Sequence, residues 1–85
     1  MSALHLIHNP AALEPALIRA GADDAILLIE DGVYLLLGDA ARFAGRSIFA
    51  LADDLRARKI EHEAAVEMAE FVALTVNHSP IVSWS

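Results

Sequence analysis

Hydrophobic and polar positions in this chain follow a strand period and a helix period in turn. Ala3–Ile7 is a short apolar run interrupted by His5, which suits a strand. Asn9 and Pro10 then signal a helix start. Asn can accept from the orphan N–H groups, and Pro lacks an N–H that the first helical position does not need. Leu13, Ala16, Leu17 and Ala20 recur at helical spacing as one buried face, and Gly21 marks the stop. Ala25–Ile29 is apolar at every position. A half-exposed antiparallel strand would alternate, so this run predicts a strand covered on both faces. Strand, helix and fully buried strand together predict a βαβ unit and a parallel sheet.

Two stretches admit two readings. Asp31-Gly32 between apolar runs signals a hairpin, with Val33–Leu37 as its second strand. Yet Val33, Leu36, Leu37, Ala40 and Ala41 lie on helical spacing and run past the end of such a strand. Further on, Ser47–Leu51 reads as a strand. Asp53 and Asp54 open a short helix that closes on Arg56, Arg58 and Lys59, the charge order that complements a helix dipole. Glu61–Asn77 has the composition of one long helix. Its competitor is a short strand at Ala64–Met68 followed by a helix to Asn77. Pro80 ends the helical region, and Ile81–Trp84 can add a last strand.

Composition changes the picture in three ways. The chain has 85 residues, enough for one domain, and 56% of them are hydrophobic. A domain of this size buries only about 60–65% of the surface its unfolded chain exposes. Part of the apolar excess is therefore expected at a surface covered by another chain. Net charge is −6, with 12 acidic against 6 basic residues, so the chain lacks the cationic surface that direct nucleic-acid binding needs. Cysteine is absent, which excludes disulfides, thiolate metal sites and a persulfide on this chain. Leu4–Ile7 is too short for a secretion signal and lacks a basic flank, and Glu30-Asp31 breaks the longest apolar stretch. The expectation is a cytoplasmic protein with no membrane span.

Four blocks resemble the TusB/DsrH family. They are Leu4-His5-Leu6-Ile7-His8, then Ile26-Leu27-Leu28-Ile29-Glu30-Asp31-Gly32-Val33-Tyr34, then the stretch from Ile48 to Arg58. The last runs from Phe71 to Pro80 with the terminal Ser83-Trp84. Three departures stand out. Lys59 stands where the family usually has Gly, the Lys59–Glu63 stretch is short, and Glu67-Met68 replaces an Asp-Tyr pair. The resemblance implies a helix after Gly32 and a short strand near Ala64–Met68. It implies a three-layer α/β/α fold with a mostly parallel five-stranded sheet, over residues 1–85 as one domain. It also implies a non-catalytic subunit, without cofactors, of a heteromeric sulfur-relay complex. The partners would be TusC- and TusD-like (DsrE- and DsrF-like) chains, a sister subunit carrying the reactive cysteine. The complex would serve 2-thiolation of the tRNA wobble uridine or, equivalently built, sulfur oxidation. A stand-alone homo-oligomer that binds a small ligand is the competing reading.

The candidate chemistry lies in the loops at the strand carboxyl ends, where parallel sheets place ligands. These carry His8-Asn9, Glu30-Asp31-Gly32 and Asp53-Asp54. His8, Glu30, Asp31 and Asp53 could ligate a divalent metal or form an acid–base pair. Capping by Asn9, Asp31 and Asp53 explains the same residues more simply, so no metal ligand is assigned. His5 and His8 have no nucleophile beside them, and a His5 satisfied by backbone or a partner chain is favoured over a catalytic one. His78 suits a helix carboxyl end. The isolated glycines give no phosphate-binding loop. A partner interface is expected at His8, Glu30, Asp31, Tyr34, Asp54 and Trp84, although Trp84 more readily closes the chain's own core.

Overall fold

The computed structural model describes residues 2–43 and 45–85. Strands run at Leu4–Ile7 (β1), Ala25–Leu28 (β2), Ser47–Leu51 (β3), Ala65–Val66 (β4) and Ile81–Trp84 (β5). Helices run at Leu13–Arg19 (α1), Ala52–Ala57 (α2) and Met68–Asn77 (α3), with 3₁₀ segments at Pro10–Ala12, Glu30–Leu37 and Ala40–Phe43. The strands form one five-stranded sheet in the order β4-β3-β2-β1-β5. Every pairing is parallel, so the expected fold holds and its sheet is parallel throughout.

Connection handedness explains the layers. From β1 through β4 each step moves the same way along the sheet, so right-handed crossovers put the intervening helical segments on one face. The return from β4 to β5 runs the opposite way and puts α3 on the other face. Side chains divide accordingly. Ile7, Ile26, Leu28 and Ala50 pack with Leu13, Ala16, Val33, Leu35, Phe43 and Leu55. Leu4, Ala25, Leu27 and Val66 meet only Phe71 and Leu74 of α3, with half-buried Leu6, Ile29 and Phe49 beside them.

The segment after Gly32 is helical, as the resemblance implies, and is wound as 3₁₀ rather than α. A hairpin was never available, because β1 and β3 occupy both edges of β2. Gly32 is required by close approach: a Cβ there would lie 2.0 Å from the Ile7 carbonyl oxygen. The second ambiguity resolves to a two-residue β4 and a separate α3.

Lys59 has φ +57, the left-handed conformation that suits Gly. It sits where α2 ends. Lys59 N–H donates to the Arg56 carbonyl at 3.1 Å and Ile60 N–H to the Leu55 carbonyl at 2.9 Å, a Schellman closure. The turn that a glycine would make without strain is therefore kept with a lysine in it.

Capping holds in part. Asn9 Oδ1 accepts from Ala11 N–H at 2.9 Å. Asp31 and Asp53 cap nothing: the cap positions are Ile29 and Leu51, neither with a side-chain bond. The two carboxylates turn instead to arginines, Asp53 to Arg56 of α2 and Asp31 to Arg58 just past its end. At α3, Glu67 and Glu70 form a capping box that the sequence pattern had not suggested.

Candidate functional site

All five strands point their carboxyl ends the same way, so the loops after β1, β2 and β3 meet along one edge of the sheet. His8 follows β1, and its Nδ1 lies 2.5 Å from Glu30 Oε1. Glu30 has φ +51, a strained conformation for a residue with a Cβ. Two contacts hold it there: the His8 ring, and Asp54 Oδ2, which accepts Glu30 N–H at 2.8 Å. Asp54 thus supplies from α2 the acceptor that the 3₁₀ segment's first N–H needs.

Arg58 ties the rest together. Its Nη2 and Nε donate to Asp31 Oδ1 at 2.9 and 3.3 Å, and its Nη1 donates to the Asp54 carbonyl at 3.1 Å. Its guanidinium lies 5.6 Å from the Tyr34 ring centroid, a cation–π distance. The Asp31 hydrogen bond is the main reason that the guanidinium's proton affinity rises. Five of the six expected interface residues (His8, Glu30, Asp31, Tyr34 and Asp54) are brought together here. Arg58 is the member that sequence reasoning assigns only to the helix dipole. Its spacing of four from Asp54 was the available signal.

The sixth residue, Trp84, adjoins the cluster through its backbone, where His8 N–H donates to its carbonyl at 3.0 Å, but its side chain points to His5. Its Nε1–H donates to His5 Nδ1 at 3.0 Å, and His5 Nε2 meets Asp24 Oδ2 at 2.9 Å. An indole nitrogen only donates, so Nδ1 of His5 must accept and Nε2 carries the proton toward Asp24. His5 is buried, and these two side chains satisfy it, not the backbone or partner chain expected for it. Asp24 also accepts from Ala3 and Gly21 N–H, both at 2.9 Å. The His5 hydrogen bond, then the Ala3 N–H, hold its carboxyl at about 2, below the ordinary 3.8. Trp84 packs against the chain's own core.

Where β3 and β4 send their connections to opposite faces, the crevice that holds ligands in related sheets is bridged by ion pairs. Arg56 donates to Glu67 through both terminal nitrogens, at 3.1 and 3.0 Å, and to Asp53 at 2.6 Å. Arg56 is the main cause of the lowered proton affinity of the Glu67 carboxylate. Asp53 is therefore separated from the His8–Glu30 pair and committed to Arg56. Among the described residues no group of three or more His, Asp or Glu is arranged to hold a metal ion. His78 Nδ1 lies 2.7 Å from the Leu74 carbonyl, the expected contact with the end of α3. The carboxyl edge is thus a cross-braced polar surface suited to recognition, with its charged groups spoken for by one another.

On the opposite flank α3 presents a row of apolar side chains to solvent. Met68, Val72 and Val76 are 52%, 52% and 74% exposed, and Ile81 of β5 is exposed nearby. None of the ten residues of α3 is buried. No helix among the described residues is long and apolar enough to cross a membrane.

Compared with known proteins, residues 8–81 match the family model described as DsrH like protein. No curated protein matches the chain.

Proposed function

The chain belongs to the DsrH-like family of accessory sulfur-relay subunits, and from that premise we propose that it completes a heteromeric complex without handling sulfur covalently. The observation that carries this reading is the apolar row Met68, Val72 and Val76 on a helix with no buried residue. Apolar side chains at i, i+4 and i+8 on an otherwise thin layer are what a helix seated against another subunit presents. The sequence has no thiol, so a persulfide passing through the complex resides on a sister subunit.

In this reading the chain acts as one domain in the cytoplasm. Its partners are TusC- and TusD-like chains. The cross-braced edge at His8, Glu30, Asp31, Tyr34, Asp54 and Arg58 faces the approach to the sister cysteine. The sulfur is destined for 2-thiolation of the tRNA wobble uridine. The test is co-expression with TusC- and TusD-like chains, followed by size exclusion. Co-elution of the three chains supports the assembly role, and separate elution under gentle conditions ends it. Loss of 2-thiouridine from tRNA on deletion of the gene supports the thiolation role; unchanged 2-thiouridine with impaired sulfur oxidation replaces it.

A further inference from the structure

His5 of β1 is the one buried polar side chain among the described residues, 4% exposed. Its two ring nitrogens have opposite duties. Nε2–H points to Asp24 Oδ2 at 2.9 Å, and Nδ1 accepts the Trp84 indole N–H at 3.0 Å. That division holds only while the ring carries one proton. A second proton turns Nδ1 into a donor and sets it against the indole N–H. Rotating the ring gives no escape, because both nitrogens are then donors. Asp24 can follow the change and Trp84 cannot: a carboxylate accepts from either form of the ring, whereas an indole nitrogen only donates.

Asp24 is the charged group in contact with His5. Its carboxyl, held at about 2, stays ionised over the range in which imidazoles titrate and gives a second proton its counter-ion. The strand neighbours of His5 are Ile26 of β2 and Val82 of β5. Above this face α1 places Leu13, Ala16 and Leu17, while its charged Glu14 and Arg19 lie exposed. In the turn after α1, Asp23 is exposed and Arg46 donates to the Ala20 and Gly21 carbonyls. Charged groups of the 3₁₀ segments pair elsewhere, Glu30 with His8, Asp31 with Arg58 and Arg42 with Glu14.

Trp84 stands on β5, an edge strand whose neighbour in the sheet is β1. The start of β5 is pinned by two main-chain bonds, Leu4 N–H to the Pro80 carbonyl and Ser79 N–H to the Ser2 carbonyl, both 3.0 Å. Its other end is held by His8 N–H, which donates to the Trp84 carbonyl at 3.0 Å, and by the indole. A half-buried indole at a sheet edge reaches water by swinging outward, so this is the end that opens. We infer that His5 is a proton switch for this edge: a second proton on its Nδ1 displaces the Trp84 indole and frees the carboxyl-terminal end of β5. The His8 N–H loses its acceptor in the same step, so the loop that carries the His8–Glu30 pair loosens with it.

Trp84 is the single tryptophan of the chain, so its emission and its indole N–H resonance report this contact. The full chain, ¹⁵N-labelled, is titrated from about pH 8 to about pH 5. Protection of the Trp84 indole N–H and the His8 amide, corrected for the intrinsic pH dependence of exchange, should fall together at least tenfold. The emission should shift to the red, with a midpoint matching that of the His5 ring's own Cε1–H resonance. The Leu4 amide and those of α1 should keep their protection. His5→Asn retains an acceptor near Nδ1 and takes no proton, so it should abolish the change. If that variant does not fold, the match between the Trp84 and His5 midpoints decides the same question. A Trp84 indole that stays protected after His5 takes its second proton overturns the inference. So does a His5 ring that takes no second proton in this range, or a midpoint that follows His8, His62 or His78 instead. Loss of protection in α1 at the same pH is global unfolding and overturns it too. These readouts need no sister chain and do not depend on the sulfur-relay reading.

Discussion

The two faces of the sheet are built to different standards. One is covered by α1, α2 and three 3₁₀ segments, and its core residues Ile7, Leu13, Ile26, Leu28 and Val33 are inaccessible to solvent. Among the described residues the other is crossed by α3 alone, and Leu6, Ile29 and Phe49 remain half-buried beneath it. A ten-residue helix is about 15 Å long, shorter than the roughly 19 Å across five strands. One helix cannot seal that face. The covered face gives the chain its fold, and the thin face leaves it with surface for a neighbour.

Breaking the covered face should produce the largest effect. Gly32→Ala places a methyl against the Ile7 carbonyl, which side-chain adjustment cannot relieve. A loss of about 3 kcal/mol is expected, read as a lower urea midpoint. Next comes the Asp24–His5–Trp84 network beneath the same face. Asp24→Asn should cost about 1–3 kcal/mol, because a charge-assisted acceptor for three N–H groups becomes a neutral one. The Asp24 carboxyl is depressed to about 2 in the folded chain, so its contribution is present above pH 4. It is lost as pH falls from about 4 to about 2. Wild type should show that acid-side decline in thermal melts, and Asp24→Asn should flatten it.

Lys59→Gly should act in the other direction. Relieving a left-handed lysine should stabilise by about 0.5–1 kcal/mol, read in the same urea titration. The smallest change in stability is expected on the thin face. Val72→Asp should alter the isolated chain by less than about 0.5 kcal/mol, since Val72 is 52% exposed. The same variant should nevertheless prevent co-elution with sister chains. A large loss of stability in Val72→Asp would mean that α3 is already seated and would erase the contrast between the faces.

Local signals were legible where one residue's neighbours in sequence were also its neighbours in space. Asn9 announced its own cap, and Ala25–Ile29 announced a strand covered on both sides. Other features needed contacts that spacing does not encode. Asp31 and Asp53 looked like caps because capping is what acids at a helix start usually do. In the fold, Arg58 and Arg56 come within reach and hold both carboxylates. His5, Asp24 and Trp84 sit far apart in the chain, and no interval between them could mark a network. Arg58 was visible as a charge but not as the brace of the carboxyl edge, because that role requires β2 and β3 to be adjacent.

The amino-acid order by itself determined β1, β2 and β3, the buried face of α1, the family and the absence of any thiol on this chain, since each depends on residue type and local period. The tertiary structure decided which acids meet which arginines, that both edges of β2 were taken, and that α3 is the one helix among the described residues on its face. Those outcomes follow from strand order and connection handedness. They bring distant residues within a few ångströms, and local period carries no information about that distance.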